Sequence, residues 1–425
     1  MAEKIKILML GVNDDPTPGH LLYAYHHLPP EYEPCAVIQK TSEENRQYAL
    51  FPNPVERALK MFFQRNLWTR LQWLFRYHLR PKVNKSCPEY HFKGNELVGY
   101  SAKDILRRCP KGFIPEVIAI YWTSGFISSR IVRELHELTG AVVVYVFVDE
   151  AALTGGCHYP FECEGFQTDC NNCPALAEGK KLAAIQLALK KENLSKVPLY
   201  AAATPWDVLQ AQKSAIFRHA TMLPITTKPD MNIFPKEEAR QSLDIPSSAF
   251  VVLMGAKGTQ DKRKGFTYAI QALQKAAKVL PQMIVLIAGN ADERLRESLH
   301  GVPCRFLGML SLPDLHRAFC ATDVFLSATI ADSGPMMVNM ASACGTPTIA
   351  FPVGVAVSLV RHKEAGYMAK LKDVDDMAEG LCYMACLSTE AYQLMSQRCK
   401  ELLDEAASKG TWLEQMIRIL RPTSA

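Results

Sequence analysis

Asp332 stands at the end of an apolar run. Gly334-Pro335 and a stretch of small residues follow it, reading as a helix up to Cys344-Gly345-Thr346-Pro347. A glycine turn at a helix start leaves backbone N–H groups unpaired at the positive end of the helix dipole, which suits a phosphate. The same pattern fits an ordinary strand–turn–helix with the acid as a cap. Asp261-Lys262-Arg263-Lys264-Gly265 concentrates charge ahead of another helical pattern, and by itself is a solvated basic loop. In the first half, Asp149 and then Thr154-Gly155-Gly156-Cys157-His158-Tyr159 follow an apolar run, and Trp122, Ser124 and Gly125 close the run before it. Cys157, Cys163, Cys170 and Cys173 have the spacing C-x5-C-x6-C-x2-C. Four thiolates so spaced would suit a closed tetrahedral zinc site that pins a long loop, purely structural because no position stays open for substrate. Reduced thiols, or two disulfides under oxidation, are the alternatives. Between Pro54 and Lys85, aromatics such as Trp68 and Trp73 alternate with bases such as Arg65, Arg70 and Arg76, and Glu56 is the only acid. Such a helix can lie in an anionic membrane interface; a surface helix with a buried aromatic stripe is the alternative.

These groups need rigid elements to position them. Short apolar runs alternate with longer helical patterns: 5–12, 117–122, 141–148, 199–204 and 222–225 in the first half, then 250–256, 283–290, 305–309, 324–330 and 346–353. Strands apolar on both faces and separated by helices predict parallel sheets. The expected fold class is α/β, with two doubly wound Rossmann-like domains in tandem. In such sheets ligands bind beyond the carboxyl ends of the strands, so the loops after strands are the place to search. Pro229, Pro235 and Pro246 mark a linker over 226–246 with its boundary near Lys228. The predicted domains are residues 1–227, including the cysteine loop 154–174, and residues 228–425. Helical patterns over 378–384, 391–407 and 412–420 close the chain, the last of them expected to pack back on the first domain.

A length of 425 residues suits two domains, and 48% hydrophobic with 21% charged residues excludes a disordered or fibrous chain. The net charge of +5 is too mild, and the basic patch too isolated, to indicate a nucleic-acid partner. No run reaches the roughly 20 apolar residues that span a bilayer. The start, MAEKIKILMLGV, reads into a strand and not into a cleavable leader. Thirteen cysteines, mostly scattered, predict a reducing compartment, the cytoplasm.

Taken in order, the landmarks resemble the retaining glycosyltransferases of family 4, which have the GT-B fold of two facing Rossmann-like domains. Residues 332–347 resemble that family's signature of an acid, a glycine-containing turn and a helix ending in Ala343-Cys344-Gly345-Thr346-Pro347. Gly255-Ala256 and Arg263-Lys264-Gly265-Phe266 are similar to its glycine turn and to its K-G at a helix start, where bases neutralise the nucleotide diphosphate. Phe306–Leu310 is similar to the turn that holds the nucleobase through backbone groups. Thr154–Tyr159 resembles the T-G-G-C-H-Y loop of a subgroup that builds polysaccharides.

The resemblance implies transfer of a sugar from a nucleotide sugar, with retention and without a divalent metal or other catalytic cofactor. The acceptor would be a glycan or a lipid-linked glycan in cell-surface polysaccharide synthesis, reached by peripheral contact with the inner face of the membrane. Asp332 and Asp149 are implied as catalytic acids. Gly19, Arg263, Lys264, Gly308, Met309, Leu310, Gly334, Pro335, Met336 and Met337 are implied around the donor, in the second domain except for Gly19. Trp122, Ser124 and Gly125 are implied on the acceptor side, in the first. Met340 stands where the family has a second glutamate for the ribose, and Val148 where it has a histidine near the reacting sugar. These departures motivate a second reading, a non-catalytic GT-B homologue that binds a glycan or protein partner in a polysaccharide-assembly complex. Asp332, Arg263 and Lys264 argue against it, since a dead site need not keep diphosphate charges.

Overall fold

The computed structural model describes residues 3–15, 20–53, 87–93, 96, 100–177 and 181–422 of the 425-residue chain. Gly19 and the basic aromatic stretch from Pro54 to Lys85 therefore lie outside the described residues. Two six-stranded parallel sheets form, each in its own compact unit.

In the first unit the order is β2-β1-β3-β4-β5-β6, from β1 (Ile5–Asn13), β2 (Tyr32–Lys40), β3 (Val117–Ile120), β4 (Val142–Val146), β5 (Leu199–Ala203) and β6 (Thr221–Pro224). In the second it is β12-β11-β10-β7-β8-β9, from β7 (Phe250–Gly258), β8 (Met283–Asn290), β9 (Cys304–Gly308), β10 (Val324–Ser327), β11 (Thr348–Ala350) and β12 (Gly366–Met368). Side chains alternate across a strand, so each sheet buries two faces. Val252, Met254, Val285, Ile287 and Leu326 pack under the helices Phe266–Ala277 and Val374–Ala385. Val251, Leu253, Leu286 and Phe325 pack on the opposite face under Leu312–Ala321 and Met336–Cys344. This double burial is why the strands read as unbroken apolar runs.

β2 and β12 were not among the expected strands. Both are edge strands, and β2 carries Glu33 and Pro34, with only Cys35–Ile38 as a fully buried run. An edge position tolerates a proline that lacks the ladder N–H. The crossing between units falls at Pro224/Ile225 and not at Lys228, and Thr204–Trp206 belongs with the second unit. The expected linker is also partly regular: Lys236–Ser242 is a helix whose Arg240 is 6% exposed and donates to Ala321 O, Ser247 O and Asp323 Oδ2. The final helix, Trp412–Leu420, lies in the first unit. There Tyr32 Oη donates to Leu413 O at 2.8 Å, Gln415 donates to Pro224 O at 2.9 Å, and Arg421 pairs with Glu116 at 2.7 Å.

Candidate functional site

In the second unit β7 and β10 are neighbours, yet the chain runs outward from β7 through β8 to β9 and from β10 through β11 to β12. The helices Phe266–Ala277 and Met336–Cys344 cover opposite faces, so a crevice opens beyond the carboxyl ends of these two strands. A cavity of about 320 Å³ lies there, lined by Gly255, Ala256 and Lys257 after β7, by Arg263 and Lys264, by Ala328 and Thr329 after β10, and by Pro335, Met336 and Met337. Three cations and no carboxylate are among its described lining residues.

Each part of this wall has a local cause. At Gly255 a Cβ would stand 2.6 Å from the Ala288 carbonyl oxygen. Asp261 accepts the Arg263 N–H and opens one turn of 3-10 helix, Lys262–Lys264. Gly265 ends that turn at φ +65°, where a Cβ would lie 1.8 Å from the Ala328 oxygen. Only glycine serves there, and its turn delivers Arg263 and Lys264 to the crevice. Pro335 precedes the helix Met336–Cys344 without any side-chain cap, which leaves the first helical N–H groups at the cavity for an anion.

Asp332 binds both cations. Its Oδ2 accepts from Lys264 Nζ at 2.5 Å and from Arg263 Nη1 at 2.9 Å, and its Oδ1 accepts the Gly334 N–H at 3.1 Å. Burial works against the charged carboxylate, but Lys264 and Arg263, with the Gly334 N–H, outweigh it and hold the Asp332 carboxyl below the usual range. Arg263 is shared with Asp261 at 2.9 Å. Cations held at a cavity wall in this way are placed to make charge-assisted hydrogen bonds to phosphate oxygens.

The fold thus brings Arg263, Lys264, Pro335, Met336 and Met337 to one cavity, with Asp332 and Gly334 beside them. Gly308, Met309 and Leu310 are placed differently. Gly308 ends β9 at the edge of the sheet and Met309 and Leu310 follow it, with Met309 57% exposed, and none of the three lines this cavity. Asn339 turns inward, 2% exposed, and donates to Thr227 O at 2.6 Å, so it offers nothing in place of the glutamate missing at Met340.

The first unit has its own site, beyond β3 and β4. Asp149 Oδ2 accepts from His158 Nδ1 at 2.7 Å, Asp149 Oδ1 accepts the Ala151 N–H at 2.9 Å, and His158 Nε2 lies 2.9 Å from Ser124 Oγ. Every residue of the T-G-G-C-H segment contributes to this arrangement. Thr154 Oγ1 donates to Cys157 O at 2.6 Å and accepts the Gly156 N–H at 3.1 Å. Gly155 presses on the helix Leu182–Leu194, where a Cβ would be 2.2 Å from Ala183 O. Gly156 has φ +137° and its carbonyl accepts from Lys93 N at 2.7 Å. The buried ammonium of Lys190 donates to Ala151 O at 2.7 Å and Thr154 O at 2.9 Å, tying the loop to the same helix. Burial pulls the Lys190 pKa down, and Glu96 opposes that pull. His158, 4% exposed, was missed as a functional residue. The Asp149 and His158 spacing on one loop was visible, but the Ser124 partner comes from another strand end.

Cys157, Cys163, Cys170 and Cys173 all line one cavity of about 10 Å³ and are free thiols. Burial raises Cys157 and Cys173, and Cys170 to about 11. Among the described residues no group of three or more His, Cys, Asp or Glu side chains is placed to hold a metal ion. The zinc expectation therefore rests on spacing and on convergence about that cavity.

The fold and the crevice define a class: two Rossmann-like units of the GT-B architecture, the second with a cationic phosphate-type cavity at its switch point. Comparison with known proteins agrees. Residues 249–386, all within the second unit, match the family described as Glycosyl transferases group 1. An uncharacterized glycosyltransferase of Haemophilus influenzae is 23% identical over 154 residues, which is 33% of this chain and 41% of that relative. The chain thus spans less than half the length of that relative. Among solved structures, a glycosyltransferase from Rickettsia africae is similar at a TM-score of 0.61 and 15% identity, over 99% of this chain and 100% of that one. Anabaena HepE in complex with UDP and glucose is similar at 0.58 and 15% identity, over 99% and 100%. Sucrose-phosphate synthase from Thermosynechococcus elongatus is similar at 0.57 and 15% identity, over 98% of each chain. At these identities the structures establish the fold. No helix of the described residues is long and apolar enough to cross a membrane.

Proposed function

We propose that this chain is a retaining, metal-independent glycosyltransferase that moves a sugar from a nucleoside-diphosphate sugar to a glycan or lipid-linked acceptor in polysaccharide synthesis. One observation carries the reading: the cavity of about 320 Å³ at the β7/β10 switch point, lined by Lys257, Arg263, Lys264 and an uncapped helix start, with Asp332 on its cations. In this reading the diphosphate takes Lys264, Arg263 and the N–H groups near Met336, and leaves Asp332 to orient the donor sugar. Charge that builds on the departing diphosphate meets cations already in place, so the barrier falls without reorganisation. The complex of HepE with UDP and glucose supports a uridine nucleotide as the first donor to try. Trp122, Ser124 and Gly125 hold the acceptor in the first unit, and Asp149 acts there through His158.

The finer features belong to the same proposal. Residues 54–85 bring the protein to the anionic inner face of the cell membrane, and the four cysteines, which face one small cavity without the geometry of a formed metal site, would close on a structural zinc. Metal analysis of protein purified without added metal would give about one zinc per chain; four freely titratable thiols and no zinc would reduce the loop to packed cysteines. The donor reading is tested by calorimetry with a panel of UDP-, GDP- and dTDP-sugars on the full chain. Binding by one of them, lost in Lys264→Ala, supports it. Binding by none would favour a non-catalytic homologue.

A further inference from the structure

The chain Asp149–His158–Ser124 sets the polarity of one hydrogen bond when the imidazole is neutral. An ionised carboxylate only accepts, so Asp149 Oδ2 at 2.7 Å requires a proton on His158 Nδ1. In the neutral imidazole Nε2 is then an acceptor, and Ser124 must spend its O–H on it across 2.9 Å. What Ser124 Oγ can offer a ligand is its lone pairs. Trp122, two positions earlier on the same strand end, lines the same cavity of about 40 Å³ as Ser124. Its indole Nε1–H is buried and has no hydrogen-bond partner among the described residues. Trp donates only, and a buried donor without a partner is costly enough that most are satisfied by protein, water or ligand. The Trp122 ring meets the His158 ring edge-on at 6.0 Å, so donor and acceptor chain belong to one packed unit.

We propose that Trp122 and Ser124 form a subsite that reads one hydroxyl group of a carbohydrate acceptor. The indole N–H donates to the hydroxyl oxygen, the hydroxyl donates to Ser124 Oγ, and Asp149 and His158 set that polarity as positioning residues. This deepens, and rests on, the assignment of acceptor binding to the first unit. A hydroxyl satisfies both partners at once. A phosphate, carboxylate or keto oxygen has no hydrogen for Ser124, and an ammonium has no lone pair for Trp122. A cavity of about 40 Å³ admits a water or a hydroxymethyl group and is too small for a sugar ring, so the subsite reads a substituent of the acceptor while its ring stays outside. The other charged residues that line the cavity, Glu96 and Lys190, are already engaged with Ser129 and with the Ala151 and Thr154 carbonyls. Sites built on such pairs discriminate strongly, because an analogue lacking the hydroxyl leaves both groups unpaired.

Nitrogen NMR of the full chain with labelled histidine and tryptophan tests this, using methyl glycosides of glucose, galactose, mannose and N-acetylglucosamine as probes. The expected His158 ring has a protonated Nδ1 and a bare Nε2, and at least one glycoside shifts both Nε2 and the Trp122 indole signal. Its 6-deoxy counterpart does not. Trp122→Phe, read from His158, and Ser124→Ala, read from Trp122, each weaken saturation roughly ten- to a hundredfold, and Ser124→Thr restores it. Asp149→Asn is the sharpest variant. The amide oxygen is retained by the Ala151 N–H, so the NH2 faces Nδ1 and drives the proton to Nε2. Ser124 then points its own O–H at the ligand, and glycoside binding falls while the fold persists. A protonated Nε2 in the native chain overturns the proposal. So does a full panel that leaves both signals unmoved while a nucleotide sugar still binds, an outcome that spares the donor reading. Loss of nucleotide-sugar binding together with glycoside binding removes the functional reading as well.

Discussion

Asp332 pairs with Lys264 and Arg263, so it both preorganises the cations of the cavity and competes with a phosphate for them. Removing its charge separates the two effects. Asp332→Asn is expected to bind UDP more tightly, several-fold in calorimetry, because the cations lose an internal competitor. Turnover of a nucleotide sugar should nevertheless fall by a factor on the order of a hundred, as preorganised charge at the reacting sugar is lost. Equal turnover in the variant would leave Asp332 a helix-entry residue only. Lys264→Ala has the opposite signature, with UDP affinity weakened roughly tenfold or more and little change in folding. Asp332 also sets a pH dependence. Its folded pKa lies below its unfolded value, so its contribution to stability is complete above the ordinary aspartate range, near 4, and is lost as pH falls through the folded value. Acid titration of the second unit's stability should show this loss, and Asp332→Asn should flatten that part of the curve. That an acid and two bases belonged to one site was implied by the family resemblance of their two segments. That they pair directly was not, because Lys264 and Asp332 are 68 residues apart.

At the scale of elements, the loop Thr154–Tyr159 shows how a short motif acts through its backbone. Gly155→Ala would drive a Cβ to within 2.2 Å of Ala183 O on the helix that carries Lys190, and neither backbone segment can yield cheaply. The expected cost is about 3 kcal/mol, measured as a lower denaturation midpoint of the first unit, with the His158 ring displaced from Ser124. A midpoint within experimental error of the native chain would show that the loop can slide off the helix. The motif was legible as a string of glycines and polar residues beyond a strand that resembles a known loop, yet its product, the Asp149–His158–Ser124 chain, was not. Period and spacing describe neighbours along one element, whereas Ser124 reaches His158 from the end of β3. The nucleobase turn at Gly308–Leu310 was placed by resemblance alone; the sheet order sets it at the end of edge strand β9, and it is not part of the lining of the cationic cavity.

At the scale of the molecule, the chain leaves the first unit at Pro224 and returns to it with the helix Trp412–Leu420. Trp412 is 5% exposed and meets Tyr121, and Leu413 O takes the Tyr32 hydroxyl. A chain ending at Thr411 should therefore lose stability in the first unit, seen as faster hydrogen exchange in β1 and β3, with the ladder of β7 and β8 unchanged. Uniform exchange in both sheets would show the last helix to be dispensable. The sequence by itself determined the α/β class, most of the parallel strands and the strand-end loops where chemistry belongs, because double burial and helical period are written locally in side-chain polarity. It could not determine β2, whose apolar pattern is broken by Glu33 and Pro34, or β12, which is only three residues long. Only the tertiary structure decided the strand order, and with it the crevice between β7 and β10 and the union of Ser124 with His158. Those depend on which strands pair across long stretches of chain, a choice made by the packing of whole faces and not by any one segment.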